Sequence, residues 1–254
     1  MLVPPDSTIR VAASEATTLQ LETDLTISKA ALHPLIGGEQ GLPVEGNAIT
    51  LPAVKAPDLI AIDWFVGEQV MFTTRVEGVT RHYFNLDALR AYGDGQDDFD
   101  SLPEAELYEV RQAATEVFER NAHRSFVRRV GKTVDYKGSG TSCIQLDHYD
   151  VDEMLTPGYT LVSDCQAVRY KDSPHPTEVS YIYGLGDIPA QVSRAVLELA
   201  AYMLRPSNRP IGATGESTDA GFIRFTTAGQ DGFTDIPEVN AAIDQFGRGV
   251  NVLW

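Results

Sequence analysis

Two stretches of helical periodicity stand far apart in this chain, and the run between them reads as strands. Residues 101–122 carry Leu107, Val110, Ala114, Val117 and Phe118 at helical spacing. Residues 187–204 carry Val192, Ala195, Val196, Leu199, Ala200, Met203 and Leu204 on one face. A third, shorter pattern over residues 236–246 places Val239, Ile243 and Phe246 together and is followed by Gly247. A helix with one apolar stripe must bury it against another element. The three are therefore expected to form a small helical bundle, with the intervening chain looped out as an insertion. The expected boundaries are a capping box from Ser101 and Glu104, an N-cap at Asp187, a stop at Arg205-Pro206 and an opening at Asp235-Ile236-Pro237.

The insertion, residues 126–183, reads as short strands at Phe126-Val127, 133–136, 142–146, 159–162, 166–170 and 178–183. Turns at 137–140, Pro157-Gly158 and 171–174 separate them, and 147–158 reads as an acidic loop running into a turn. Residues 1–95 read as a β-rich domain, sandwich- or barrel-like. Its strands are expected at Ile9-Arg10-Val11, Leu19-Gln20-Leu21, Leu25-Thr26-Ile27, 60–66 and Val70-Met71-Phe72. The second domain is then 96–254, with the β insertion at 126–183 and a tail at 247–254. The fold class is α+β. The acidic stretch 93–100 lacks the register of a calcium loop and fits a boundary whose acids sit at a helix N-terminus. Residues 206–234 read as a long loop with one extended piece at 222–225.

Composition narrows the function classes. A net charge of −16 disfavours binding to the outside of nucleic acid, which needs clustered Lys and Arg. Cys143 and Cys165 make no disulfide framework, and reduced thiols are the expectation. The start, Met1-Leu2-Val3-Pro4-Pro5-Asp6, lacks the basic region and apolar run of a secretory signal. No stretch approaches the roughly 18 apolar residues of a membrane span, so no membrane association is expected.

Motifs of chemistry are sparse. There is no Gly-x-Ser-x-Gly, no phosphate loop and no His-Glu-x-x-His. Tyr183-Gly184-Leu185-Gly186 begins like a dinucleotide fingerprint, but its third glycine position holds Pro189. Asp147 to Glu153 clusters acids around His148. It reads as a solvated loop, or as a divalent-ion site and metal-dependent enzyme centred on His148, Asp150 and Asp152. His33, His82, His123 and His175 are isolated. Trp64, Phe65 and Tyr83 would be the platform of a β-sandwich ligand-binding module on a helical stalk, although strand aromatics are more often core. Arg120, Arg124, Arg128 and Arg129 form the one basic cluster. Arg suits bidentate contact with carboxylates, and its partner is an acidic surface of the same chain or of a neighbour. No catalytic, cofactor or metal residues are assigned, and the chain is expected not to be an enzyme. The tail Val250 to Trp254 ends on apolar residues suited to docking, on a partner or on its own domain.

The order of phrases resembles a family. A helix leads into Arg124-Ser125-Phe126, and a β insertion ends in Tyr183-x-x-Gly. Ile188-Pro189 then opens an Ala- and Leu-rich helix, and Thr234-Asp235-Ile236-Pro237-Glu238-Val239 opens a short one. This is similar to the head-to-tail connector (adaptor) proteins of long-tailed bacteriophages, over residues 101 to 247. The resemblance implies a virion structural protein forming a dodecameric ring between portal and tail. Its partners would be the portal protein, a tail-side stopper or terminator and copies of itself, with assembly in the host cytoplasm. Genomic DNA would pass through the channel without specific binding, helped by an acidic lumen that repels phosphate. The implied portal or subunit contacts are Arg120, Arg124, Arg128, Arg129, Val250, Val252, Leu253 and Trp254. Residues 1–95 have no counterpart in the minimal family pattern.

Overall fold

The computed structural model describes residues 1–13, 16–35, 38–92, 99–136, 143–170, 177–205, 215–218, 221–224 and 233–249. The chain divides into two compact units, one of Met1–His82 with Arg124–Asp187 and one of Tyr83–His123 with Ile188–Trp254. The class is α+β, as expected.

The first unit begins with β1 (Leu2–Val3), β2 (Thr8–Ala12), β3 (Thr17–Leu21), β4 (Lys29–Pro34), β5 (Gln40–Leu42), β6 (Ala48–Leu51), β7 (Asp58–Val66) and β8 (Gln69–Val79). They make two open sheets, of order β1-β3-β6 and β2-β8-β7-β4-β5. One core joins them, with Leu19, Leu21, Ile49 and Leu51 facing Ile60, Ile62, Trp64 and Val76. From Asp58 to Phe65 strand β7 alternates between buried and half-buried positions, the period-2 signature of a sheet with one covered face. Leu25 to Ile27, expected as a strand, is irregular, and β4 to β6 were not foreseen. Their residues alternate weakly, and neighbouring strands rather than local pattern hold them.

The same unit contains β9 (Arg129–Asp135), β10 (Cys143–Gln145), β11 (Val151–Met154), β12 (Tyr159–Ser163), β13 (Gln166–Arg169) and β14 (Thr177–Tyr183). They form two three-stranded antiparallel sheets, β11-β14-β9 and β10-β13-β12. Ile144, Leu146, Val151, Ala167, Val179 and three tyrosines fill the core of these sheets. The expected strand at Phe126-Val127 is irregular chain whose side chains are nonetheless buried. Strand β11 lies where a turn was expected, because pairing with β14 recruits polar residues into the ladder. Both cysteines are free thiols.

The second unit holds α1 (Leu86–Ala91), α2 (Glu104–Ala122), α3 (Ala190–Leu204), the hairpin β15 (Gly215–Thr218) and β16 (Gly221–Arg224), and α4 (Pro237–Phe246). Helix α2 packs on α1, α3 and α4, and α3 packs on α1 and α4. Helix α1, unforeseen, is capped by Asn85, whose side chain accepts from the Ala88 N–H at 2.8 Å. The caps of the larger helices differ from expectation. Pro103 and Pro189 occupy the N-cap positions of α2 and α3, and neither helix has a side-chain cap bond. Ser101, expected to open α2, lies two residues before Pro103, which stands at the N-cap position. Asp187 instead pairs with Arg81 at 3.0 Å. Met203, expected inside, is exposed.

Ile236 is the N-cap of helix α4, with Pro237 in its first turn. Asn240 ties its entry: Thr234 N–H donates to Asn240 Oδ1 at 2.8 Å, and Asn240 Nδ2 donates back to Thr234 O at 2.9 Å. The Ile236 N–H donates to the Thr234 hydroxyl at 3.2 Å. At the other end a Cβ on Gly247 would lie 2.4 Å from Ile243 O and 3.2 Å from Ala122 Cα. Glycine here lets the chain close on α2, where Arg248 N–H donates to Ala122 O at 2.7 Å.

Candidate functional site

The arginines of the basic cluster part company in the fold. Arg120 ends α2 and is exposed, with no ion pair among the described residues. Arg124 grips Asp150 in a bidentate fork, Nε to Oδ2 and Nη2 to Oδ1 both at 3.0 Å. Arg128 Nη2 meets both oxygens of Asp152 at 2.8 and 2.7 Å, and Glu153 at 3.8 Å. Arg129 donates to Glu77 Oε1, while Glu77 Oε2 accepts from Arg10 Nε at 3.3 Å. The acidic loop and two of the four arginines, separate signals in sequence, are thus each other's counter-charge. Val250, Val252, Leu253 and Trp254 lie outside the described residues.

His148, Asp150 and Asp152 do not converge. The two acids serve Arg124 and Arg128, while His148 Nδ1 lies 2.8 Å from Tyr181 Oη and its ring stacks on Tyr183 at 3.9 Å. Among the described residues no three His, Cys, Asp or Glu side chains are grouped to hold a metal ion. The aromatic platform is likewise dispersed. Trp64 is fully buried and donates its indole N–H to Thr74 Oγ1 at 3.0 Å. Tyr83 is buried in the second unit, its hydroxyl donating to Glu119 Oε1 at 2.7 Å. Phe65 is half-buried under the Lys29 ammonium, 4.5 Å from the ring centroid.

The Tyr181 hydroxyl is the centre of a network that sequence reasoning missed. It lies 3.0 Å from Thr133 Oγ1 and accepts from Asp147 N–H at 3.2 Å, besides meeting His148. A Cβ on Gly131 would lie 2.5 Å from Tyr181 Cε2 and 2.9 Å from His148 Nδ1, so the rings rest on bare backbone. An isolated glycine inside a strand is the signal that marks such an approach. Alongside, Asp135 accepts from Tyr159 Oη at 3.0 Å and Arg169 Nη1 at 3.2 Å. Burial, then the hydrogen bond to Asp135, pushes the Tyr159 phenol up.

Burial pushes the Tyr181 phenol above its ordinary value of 10.0. A raised folded value means the phenol's contribution is whole below pH 10.0 and is lost as pH climbs through the higher folded value. Tyr181→Phe should cost about 1–2 kcal/mol at neutral pH. Urea unfolding from pH 7 upward should show that difference shrinking above pH 10.0.

Tyr183-Gly184-Leu185-Gly186 is a crossing point. Gly184 has φ +102°, and a Cβ there would stand 2.1 Å from Val127 O. Its N–H donates to Asp150 O at 3.0 Å, and Leu185 N–H donates to Ser125 O at 3.1 Å. The phrases Arg124-Ser125-Phe126 and Tyr183-x-x-Gly therefore lie against each other. Two recesses lie among the described residues. One of about 580 Å³ is lined by β2, β4, β7 and β8 residues with Val130, Lys132 and Glu178. The other, of about 390 Å³, runs between α3 and α4. No helix of the described residues is long and apolar enough to cross a membrane.

No protein-family model and no curated protein matches this chain. Solved structures with a similar chain include the virion of a native gene transfer agent particle, at 18% identity over 67% of this chain and 92% of that one, with TM-score 0.43. The neck of the native particle computed with C12 symmetry gives 18% identity, 66% and 92% coverage and TM-score 0.38. The neck of the empty particle computed with C6 symmetry gives 16% identity, 52% and 83% coverage and TM-score 0.37.

Proposed function

We propose that this chain is a non-catalytic structural protein of the head–tail neck of a phage-like particle. One observation carries the reading: of the phrases whose order resembles the adaptor proteins, two meet from distant parts of the chain and a third fixes the opening of a helix. The Arg124-Ser125-Phe126 phrase carries the carbonyl that receives Leu185 N–H beside Gly184. The Thr234 phrase is tied through Asn240 into the opening of α4. Residues that hold a fold together at those positions are what a shared architecture would retain.

On this reading copies of the chain form a ring, dodecameric in the resembled family, between the portal protein and a tail-side stopper or terminator. The −16 charge suits a channel that duplex DNA traverses without adhering, since like charge raises the potential against phosphate. Segment 250–254, rich in apolar side chains, is the part suited to seat on a portal subunit.

The test is cryo-electron microscopy of particles produced with this protein carrying a compact tag. Ring density bearing the tag directly beneath the portal is the expected result. Particles with complete necks and no tag density there would overturn the reading.

A further inference from the structure

We infer that the recess on the outer face of the five-stranded sheet binds an organic carboxylate, its charge held by Arg75 and its apolar body laid over Ala61 and Leu59. The inference goes beyond the ring reading and does not rest on it.

Strand register builds the floor. Thr8, Arg75, Ala61 and His33 stand opposite one another on β2, β8, β7 and β4, and so form one row across one face of the sheet. That face is the half-buried one of β7, where Leu59 and Ala61 alternate with the core residues Ile60 and Ile62. Ala61 is the smallest member of the row. It leaves a gap between the stems of Arg75 and His33, which stand two strand spacings, or roughly 10 Å, apart. Val130 and Lys132 on β9 and Glu178 on β14 complete the lining, and all of these residues belong to the first unit. The recess holds about 580 Å³, inside the range of roughly 300–1,000 Å³ typical of small-molecule sites.

Charge sets the class of ligand. The acids at the recess are already committed. Glu77 receives Arg10 and Arg129, Glu178 receives Lys132 at 2.7 Å, and Asp63, beside the row, stands 3.2 Å from His33 Nε2. Arg75 lines the same space, is exposed, and forms no ion pair among the described residues. Its in-register neighbours, Thr8 and Ala61, carry no charge. A guanidinium offers a planar fork of donors that a carboxylate meets in two parallel bonds. A more highly charged anion such as phosphate would stand closer to balance with two cations than with one, and would meet repulsion from Glu77 and Glu178 in the same lining. A neutral ligand would leave the fork unmatched. The body of the acid falls on Leu59 and Ala61, whose half-buried apolar atoms gain from being covered.

The experiment titrates the full chain, carbon-13 labelled at its alanine, leucine and valine methyls, with sodium hexanoate and follows the methyl resonances. The Ala61, Leu59 and Val130 methyls should shift together and saturate. Hexanol, which has the body without the charge, and inorganic phosphate, which has charge without the body, should each bind about tenfold more weakly or less. Arg75→Gln should weaken hexanoate by about tenfold, the effect of losing a charge-assisted bond, with the melting temperature unchanged because the side chain is exposed. Ala61→Leu fills the gap and should remove the hexanoate shift at Val130. The blocked peptide acetyl-Leu-Glu-Leu-amide separates the sources of the carboxylate. Tighter binding than hexanoate assigns it to an acidic side chain of a polypeptide, and weaker binding assigns it to a free acid. The inference is overturned if neither hexanoate nor the peptide gives saturable shifts at these methyls, if Arg75→Gln binds hexanoate as the native chain does, or if phosphate or hexanol binds as tightly as hexanoate.

Discussion

Glu77→Ala is expected to destabilise the first unit by about 3 kcal/mol, near the lower end of what breaking a buried ion pair costs. The Glu77 side chain is 16% exposed and stands between Arg10, 6% exposed, and Arg129, 17% exposed. One carboxylate therefore neutralises two guanidiniums, one on β2 and one on β9. Removing it takes the carboxylate from both guanidiniums in a poorly solvated place, so two attractions are lost together. For a protein of this size each kcal/mol lowers the melting temperature by about 2–4 °C. A fall of about 6–12 °C by calorimetry is the corresponding result. Glu77→Gln keeps the shape and an acceptor and should lie between. If Glu77→Ala melts within about 1 °C of the native chain, the two arginines reach water unaided and the bridge contributes little.

Gly184→Ala should do more damage, about 4 kcal/mol or above, in the range where a single change is exceptional. Two costs add. The φ of +102° is one that residues with a Cβ rarely adopt, and such strain costs about 1–3 kcal/mol. The new Cβ would also stand 2.1 Å from a backbone oxygen, Val127 O, which cannot rotate aside. Gly186→Ala provides the contrast. Its φ is +77°, but the nearest atoms, 3.3 and 3.4 Å away, belong to the flexible Arg128 side chain. It should cost about 1–2 kcal/mol, within the strain cost alone. Urea titrations of both variants test the pair. Equal, small losses would mean that the 125–127 segment yields, and that the crossing is no lock.

The legible parts of the fold were those with strong local period. Helices 104–122, 190–204 and 237–246 were read within a few residues of their ends, because apolar residues at i, i+3 and i+4 gather on one side of the chain only when it is helical. Strand β7 was legible for the same reason at period two. Strands β4 to β6 and β11 were not, since hydrogen bonds to neighbours distant in sequence hold their mixed residues. The caps misled because Ser101 and Asp187 are good capping types lying beside prolines that take the position themselves.

The site was legible as ingredients and not as pairs. Arg124, Arg128 and Asp150, Asp152 were each singled out, yet nothing in the order of residues said that they meet. The Tyr181 network was invisible because a tyrosine, a threonine, a histidine and a glycine have no common spacing.

From the amino-acid order alone came the class, the principal helices, the excess of acid and the absence of recognisable catalytic motifs, all of which depend on period, composition or short spacing. The tertiary structure alone decided where each charge finds its opposite and why Gly131, Gly184 and Gly247 must lack a side chain. Those outcomes depend on distances between residues far apart along the chain, and only the packed backbone sets such distances.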